Sequence, residues 1–482
     1  MCGIIGIISD RDVLPELYLG LIGLQHRGQD SAGILSYNGN LKMKKDQGLV
    51  EQVFSEQDLK NLSANIAIGH TRYPTIGSDF KTDAQPFYFS FPHRIGMVHN
   101  GNTTNYFELK REFDLKKKCL NSTCDVEAIL NVFAEALMLK VDLSTEDIFS
   151  AVSKVFSKVK GAYSVVTLIG GKGLLAFRDS HAIKPLVLLK KKGREGAAKT
   201  YAFSSESIAL TQCGFEIERN LKPGEAVLID NSLKIHSRIF SHEKPAHCMF
   251  EWVYFARPES KLEKKDVYEA RKELGRELAS LWKLTGIEAD SVVPVPDTAR
   301  SAATIIAEEL RLPCREGLIK NRYVGRTFIM GSQAKRENSV ALKLTPLTSE
   351  IKGKRIILVD DSIVRGTTSK KIIRLLKNSG AEKVYFLSTC PPIKYPCFYG
   401  IDMPLKSELI ASNKSIEEVR KFIEVDYLLY NTIEGLRRAI GTKELCCACL
   451  NGDYPVKVSE ETIKEIEESR TTEREKIKEA SK

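Results

Sequence analysis

One stretch leaves few folds open to the half of the chain that carries it: Arg355-Ile-Ile-Leu-Val-Asp360-Asp361-Ser362-Ile363-Val364-Arg365-Gly366-Thr367-Thr368. An apolar run enters two carboxylates and a Gly/Thr turn, and a helix patterned on Ile372, Ile373, Leu375 and Leu376 follows, stopping at Gly380. Similar pieces precede it, a strand-like run from Val292 to Val295 and a helical pattern from Ala302 to Leu310. Strands alternating with helices imply a parallel, doubly wound sheet. In such a sheet the loop at a strand's carboxyl end is where ligands bind, with backbone N–H groups and a helix N-terminus aimed at a phosphate. Two adjacent acids there suit ribose hydroxyls and Mg²⁺. Taken alone, the same string is also an ordinary capped helix start.

The first half has a different texture. Up to about residue 240, short β-branched and aromatic runs such as Ile66-Ala67-Ile68 and Tyr163-Ser164-Val165-Val166 are punctuated by Gly, Asn and Pro, which predicts a sheet-rich domain with some helices. With 482 residues, two cores are expected rather than one. The boundaries read as residues 2–240, an inter-domain segment over 241–264, a second domain over 265–456 and a charged tail over 457–482. The stretch Glu243 to Ser260 is aromatic as well as polar, so it is expected to pack on both domains. The tail from Ser459 has only Ile463, Ile466, Ile477 and Ala480 as apolar residues and reads as a solvated helix or frayed end.

The net charge of +10 comes from interspersed residues, with no basic tract set among aromatics, so nucleic acid is not an expected partner. No apolar run reaches the roughly 20 residues that span a bilayer, and the first ten residues lack a positively charged leader, so a cytoplasmic protein without membrane contact is expected. Eleven cysteines in a chain of this length point to thiol chemistry or metal binding rather than a disulfide scaffold.

Cys2 would become the first residue once Met1 is removed. Its thiol would then stand beside a free α-amine of ordinary pKa near 8, nucleophile and base on one residue. A cysteine there could equally be a buried strand residue. The string Cys2-Gly3-Ile4-Ile5-Gly6, however, is followed by His26-Arg27-Gly28-Gln29-Asp30-Ser31-Ala32-Gly33, by Gly69-His70-Thr71-Arg72-Tyr73 and by His99-Asn100-Gly101-Asn102. This series resembles the N-terminal-nucleophile glutamine amidotransferase domain, over roughly residues 2 to 235. The resemblance implies an αββα sandwich with Cys2 as nucleophile. It also implies that Asn100 and the Gly101 N–H form the oxyanion hole, that Arg72 binds the glutamine carboxylate, and that Asp125 in Thr123-Cys124-Asp125-Val126-Glu127 holds the ammonium. Two departures are visible. Pro74 stands where serine is usual, and Arg178-Asp179-Ser180-His181-Ala182-Ile183-Lys184-Pro185-Leu186 carries Ala182 and Lys184 where the family has glycine and arginine.

The Asp360-Asp361 string resembles the signature by which type I phosphoribosyltransferases bind phosphoribosyl pyrophosphate (PRPP). Flanking segments, Phe250-Glu251-Trp252-Val253-Tyr254-Phe255-Ala256-Arg257-Pro258, Pro294-Val-Pro-Asp297-Thr298 and Lys320-Asn321-Arg322-Tyr323-Val324-Gly325-Arg326-Thr327-Phe328, narrow this to the amidophosphoribosyltransferase family, whose pattern covers the chain to about residue 456. The resemblance implies a glutamine-dependent pentosyltransferase converting PRPP to 5-phosphoribosylamine, glutamate and pyrophosphate, the first committed step of purine (IMP) synthesis, with ammonia moving through an internal channel. It further implies Mg²⁺ near Thr298, Asp360 and Asp361, a 5-phosphate cradle from Ser362, Arg365, Gly366, Thr367 and Thr368, and Arg326 on the pyrophosphate side. Purine nucleotides as inhibitors and a homo-oligomer, tetramer or dimer, are implied as well. Ala341 replaces an arginine common in the family's Val-Arg-x-Lys-Leu.

Cys446-Cys447-Ala448-Cys449 carries a C-x-x-C spacing, and Cys397 and Cys248 supply two further thiols. In the iron–sulfur type of this family, cysteines at these positions ligate a [4Fe–4S] cluster, which would make Cys248, Cys397, Cys446 and Cys449 the ligands and Cys447 the spare. Spacing alone leaves a Cys₄ zinc site open. Two other readings of the whole chain compete, a PRPP-sensing regulator without catalysis and a degenerate paralogue. The intact amidotransferase residues and the missing DNA-binding domain weigh against the first. The departures at Ala182, Lys184 and Ala341 are what the second would rest on.

Overall fold

The structure, a computed structural model, describes residues 1–73, 82–192, 199–321, 344–403 and 405–479. Among these, the first half forms two antiparallel sheets. One runs Glu216–Asn220, Val187–Lys191, Thr200–Ser204, Gly3–Ser9, Ile66–Arg72, Ser31–Asn38, Asn40–Gln47; the other runs Ile235–Ile239, Glu225–Asp230, Gly173–Arg178, Gly161–Ile169, Ile95–Thr103, Phe87–Phe89. Strand alternation explains the layering. In Gly3–Ser9 every residue is buried: Ile4 and Ile8 face the other sheet's Val98 and Val166, while Ile5 and Ile7 face the helix Leu14–Gly23 through Leu17 and Leu21. The second sheet repeats the device, with Met97 and Val165 turned away from the sandwich against Val126, Ile129 and Phe133 of the helix Asp125–Leu137. The result is an αββα sandwich, as the amidotransferase resemblance implied.

The second half contains a four-stranded parallel sheet in the order Ser291–Pro294, Arg355–Asp360, Lys383–Ser388, Tyr427–Tyr430. Between its charged ends the strand Arg355–Asp360 is apolar because both faces are covered: Ile356 and Leu358 lie with Ile372 and Ile373 of the helix Thr367–Asn378, and Ile357 and Val359 lie with Ala303 and Ile306 of the helix Arg300–Leu310. Gly380 has φ +91 just past the helix end, a backbone state that favours glycine.

A further apolar core joins the halves. It contains Met1, Ala162 and Ile183 from the first half, Cys248 to Phe250, Trp252 and Val253 from the connecting segment, and Cys390, Tyr399 and Cys446 to Leu450 from the second. The connecting segment is therefore packed between both halves. The tail forms the helix Glu460–Glu479, yet Ile466 is 9% exposed and Ile463 packs on the same core. An Arg111–Glu465 ion pair ties the helix to the first half. Over residues 460–472 it is thus docked by one face: two isoleucines three residues apart suffice to seat that part of a charged helix.

Candidate active sites

Pairing of Gly3 with Thr71 brings Cys2, at the head of its strand, to the sheet end where Arg72 closes the neighbouring strand. The opposing sheet delivers Asn100 and Gly101 on Ile95–Thr103. The Cys2 N–H donates to Asn100 Oδ1 (3.1 Å), and its thiol donates to the Tyr73 carbonyl (3.5 Å). This leaves the Asn100 Nδ2 amide, fully buried, without a hydrogen-bond partner among the described residues. A buried donor left unmatched costs about 1–3 kcal/mol. It is the feature expected where a transient oxyanion is to be bound. At Gly101 a Cβ would stand 2.0 Å from the Ala162 carbonyl oxygen, so only glycine fits.

Arg72 is 3% exposed, with Nη2 3.5 Å from Asp83 Oδ2. Asp83 is fixed in turn by the Thr123 N–H (2.9 Å) and hydroxyl (2.8 Å). Asp125 opens the helix Asp125–Leu137, where a carboxylate suits the helix dipole. One of its oxygens accepts the Thr103 N–H (2.8 Å), and the other lies 3.5 Å from His99 Nδ1. The structure brings Cys2, Arg72, Asn100, Gly101 and Asp125 to one end of the sandwich; Pro74 lies outside the described residues.

Met1 is retained here and buried, and its sulfur accepts from Lys184 Nζ (2.7 Å). Burial, aided by Lys184 and Arg27, lowers the Met1 α-amine to about 5. Sequence reasoning gave Arg27 no role, yet its guanidinium, with no exposure, donates to the Cys2 carbonyl (3.1 Å), pairs with Glu206, and reaches Glu251 at 2.7 and 3.0 Å. Glu206 also accepts from the Arg257 N–H (3.0 Å) and the Ser260 hydroxyl (2.7 Å). Burial alone would raise the Glu206 carboxyl, but Arg27 and His26 hold it well below the carboxylate range. A sequence signal existed, since Arg27 lies within His26–Gly33, but nothing in the string says which acids it would meet.

In the second half, the strand ending at Asp360 and the helix beginning at Thr367 bracket a tight loop. The Asp361 N–H turns back onto Asp360 Oδ1 (2.9 Å), while Thr298 and Ser362 hydroxyls donate to Asp361 at 2.6 and 2.8 Å. Gly366, at φ +73, caps the helix, and a Cβ there would stand 2.6 Å from Ile410. Burial, and for Asp360 the adjacent Asp361 charge, pushes both carboxyls above their ordinary value. Two desolvated carboxylates in this loop, with the Thr298 hydroxyl on Asp361, are residues that could hold a divalent cation. Arg365 is 44% exposed and bound to Glu408 (2.8 Å). Arg326 and Ala341 lie outside the described residues.

Parallel pairing of His247–Cys248 with Leu445–Cys446 sets Cys248 opposite Cys446, and the Cys449 carbonyl accepts the Lys394 and Tyr395 N–H groups (2.9 and 3.0 Å), drawing in the Cys397 loop. Burial, then Cys397, Cys390, Cys446 and Cys248, pushes the Cys449 thiol upward. Burial raises Cys248 to about 11. Cys447 is turned toward Arg437. Among the described residues no three His, Cys, Asp or Glu side chains stand close enough to hold a metal ion, so the thiols share one region of the core without closing on a single centre. Cys390, an unremarked core thiol in the sequence, belongs to this group, and its N–H donates to the Asp361 carbonyl (2.8 Å).

Comparison with known proteins agrees with this division. A glutamine amidotransferase domain model matches residues 70–212 and a phosphoribosyl transferase domain model residues 265–394. Together with the fold and sites, these define a two-site enzyme that moves the amide nitrogen of glutamine to a phosphoribosyl acceptor. Amidophosphoribosyltransferases from Pseudomonas aeruginosa and Methanocaldococcus jannaschii are 44% and 43% identical, covering 98% and 96% of this chain and 96% and 99% of their own lengths. The solved glutamine PRPP amidotransferase from B. subtilis, complexed with ADP and GMP, superposes with a TM-score of 0.85 at 36% identity, over 95% of this chain and 98% of that one. A second solved structure, described as the allosteric regulatory enzyme of purine biosynthesis, gives 0.86 at 35% identity over 96% and 97%. The chain belongs to the amidophosphoribosyltransferase family. It is a glutamine-dependent enzyme that aminates PRPP in purine biosynthesis.

Proposed function

We propose that the two reactions are divided between residues 2–240 and 265–456, with 241–264 between them and 457–482 as a tail, and that Cys2 acts once Met1 is removed. The freed Cys2 α-amine takes the thiol proton. The sulfur attacks the glutamine γ-carbonyl, and the negative charge that develops is bound by Asn100 Nδ2 and the Gly101 N–H. Before that attack Arg72 exchanges Asp83 for the substrate carboxylate, and Asp125 receives its ammonium. The observation that carries this reading is the buried Asn100 amide, bonded through Oδ1 to the Cys2 N–H and with no partner for Nδ2 among the described residues.

At the second site Thr298, Asp360 and Asp361 hold Mg²⁺, which when bound offsets charge on the pyrophosphate leaving group. The hydroxyls and backbone N–H groups of Ser362 and of Arg365 to Thr368 receive the 5-phosphate at the helix N-terminus. Arg326 is assigned to the pyrophosphate. Cys248, Cys397, Cys446 and Cys449 hold a [4Fe–4S] cluster that ties the halves together. What supports it is that the pairing of Cys248 with Cys446 and the bonds to the Cys449 carbonyl gather these thiols into the core region that joins the halves. The enzyme is proposed as a cytoplasmic homo-oligomer inhibited by purine nucleotides, supported for the nucleotides by the ADP and GMP in the B. subtilis structure.

The test is pyrophosphate release from PRPP and Mg²⁺ by anaerobically purified protein with glutamine, ammonium or neither. Release with both nitrogen sources is expected. Release with ammonium alone would remove Cys2 from its role, and no release under any condition would favour the PRPP-sensing or degenerate reading.

A further inference from the structure

The oxyanion loop of the first half does not stand on its own sheet alone. Asn102, two residues past Asn100, donates from Nδ2 to the Phe398 carbonyl of the second half (2.9 Å). Asn102 is 6% exposed and its Oδ1 has no partner among the described residues, so this contact fixes its orientation: a flipped amide would set two oxygens against each other. Two residues further, Gly400 has φ +92, and a Cβ built on it would stand 2.7 Å from the Gly101 oxygen, 2.9 Å from its carbonyl carbon and 3.3 Å from its Cα. The backbone of the 398–400 turn therefore lies against Gly101, the residue whose N–H is assigned to the oxyanion. On the other side of that residue, Ala162 leaves no room either, since its carbonyl oxygen is 2.0 Å from the position of a Gly101 Cβ. Gly101 is gripped from both halves.

Resting on the glutaminase reading above, we infer that Phe398 to Gly400 is a positioning element for the oxyanion hole, supplied to the glutamine site by the phosphoribosyltransferase half. The physical case is one of direction. An N–H stabilises a developing oxyanion only while it points at it, and a displacement of about 1 Å at a catalytic group costs on the order of 100-fold. Strand pairing of Gly101 with Tyr163 fixes the strand's path in the sheet. What strand pairing leaves free is the tilt of the Gly101 carbonyl, and Gly400 packs against that carbonyl. A side chain at position 400 must push on backbone, which cannot swing aside as a flexible side chain does. The turn is itself held, because the Tyr399 hydroxyl donates to the Val456 carbonyl (2.7 Å) and the Tyr399 N–H is directed at Cys397 Sγ (3.4 Å). The glutamine site is consequently finished by a turn that begins at a cysteine assigned to the cluster.

The experiment compares Gly400→Ala and Asn102→Ser with the parent holoenzyme in three readouts: glutamine-dependent and ammonia-dependent phosphoribosylamine synthesis, the Kd for glutamine, and the Kd for a glutamyl γ-aldehyde. The Cys2 sulfur forms a bond to the aldehyde carbon as the C=O π bond breaks, the thiol proton passes to the Cys2 α-amine, and the oxygen is left as an alkoxide in the hole. The expected result is a fall of about 10- to 100-fold in glutamine-dependent kcat and in aldehyde affinity, with glutamine Kd and ammonia-dependent rate within about twofold of the parent. A role in folding alone would lower both activities together with the melting temperature. Full glutamine-dependent kcat and aldehyde affinity in either soluble variant overturns the inference, as does a parallel loss of both activities in both variants. Cys2→Ala separates the underlying reading: if that variant keeps glutamine-dependent activity, the nucleophile assignment fails, whatever Gly400→Ala does.

Discussion

Replacing Arg27 by methionine tests the buried ion group around the nucleophile. Arg27, Glu206 and Glu251 have side-chain exposures of 0%, 0% and 2%, so solvent cannot take over the role of the lost cation. Methionine matches much of the volume, and the deficit is then chiefly that of two carboxylates left in the core. Breaking such a buried pair costs about 3–5 kcal/mol, which at about 2–4 °C per kcal/mol for domains of this size lowers the apparent melting temperature by roughly 6–20 °C. His26, 2.8 Å from Glu206, limits the loss toward the lower figure. The pH dependence has a defined sign. In the parent protein Glu206 is held below its ordinary value of 4.5, so its contribution is present above that pH and is lost only as pH falls through the lowered folded value. In the variant, burial without Arg27 raises the Glu206 carboxyl, the folded state takes up a proton that the unfolded state does not, and stability rises on acidification. The gap between the two proteins should therefore narrow from pH 8 to pH 5.5. Differential scanning fluorimetry of anaerobic samples at both pH values reads it. A gap under about 2 °C at pH 8, or one that widens toward pH 5.5, would refute the reasoning. Glutamine-dependent activity should fall with it, because Arg27 Nε also fixes the Cys2 carbonyl.

Cys2→Ala should abolish glutamine-dependent synthesis and leave the ammonia-dependent rate within about twofold, measured as pyrophosphate release, since nothing at the second site contains the thiol. Asp361→Asn should lower both activities on the order of 100-fold. It should also raise the melting temperature of the PRPP-free protein at neutral pH, because the pair's raised values mean that its charged state opposes folding as pH rises; a lower melting temperature would count against the buried like-charge account. Cys449→Ser should remove the brown colour and the iron and sulfide of anaerobically purified protein. A colourless parent containing zinc would instead restore the Cys₄ zinc reading.

Much of the architecture was legible from local pattern. The parallel sheet follows from apolar runs alternating with helical periods, and the observed strands Ser291–Pro294 and Arg355–Asp360 and helices Arg300–Leu310 and Thr367–Asn378 fall on those runs. The order of strands within the two antiparallel sheets was not legible, because pairing of Gly3–Ser9 with Thr200–Ser204 joins segments nearly two hundred residues apart and depends on which edges meet in space. The same divide runs through the sites. Cys2, Arg72, Asn100, Gly101 and Asp125, like the Asp360-Asp361 loop, sit in contiguous motifs whose residue types carry the chemistry. Asp83 against Arg72, Glu206 and Glu251 around Arg27, Cys390 among the other thiols and Gly400 against Gly101 are contacts made across the fold, and no local string encodes them.

The sequence by itself determined the reacting groups: a thiol at position 2, a strand running into paired acids and a Gly/Thr turn, and cysteines at C-x-x-C spacing. These are covalent properties of short segments, and short segments keep their spacing whatever surrounds them. Only the tertiary structure decided how those groups are held. It buried Arg27 between two acids, left Asn100 Nδ2 without a partner among the described residues, and set a turn from the second half against the Gly101 carbonyl. Burial, electrostatic compensation and steric contact depend on distances between residues far apart in the chain, and those distances exist only once the chain has folded.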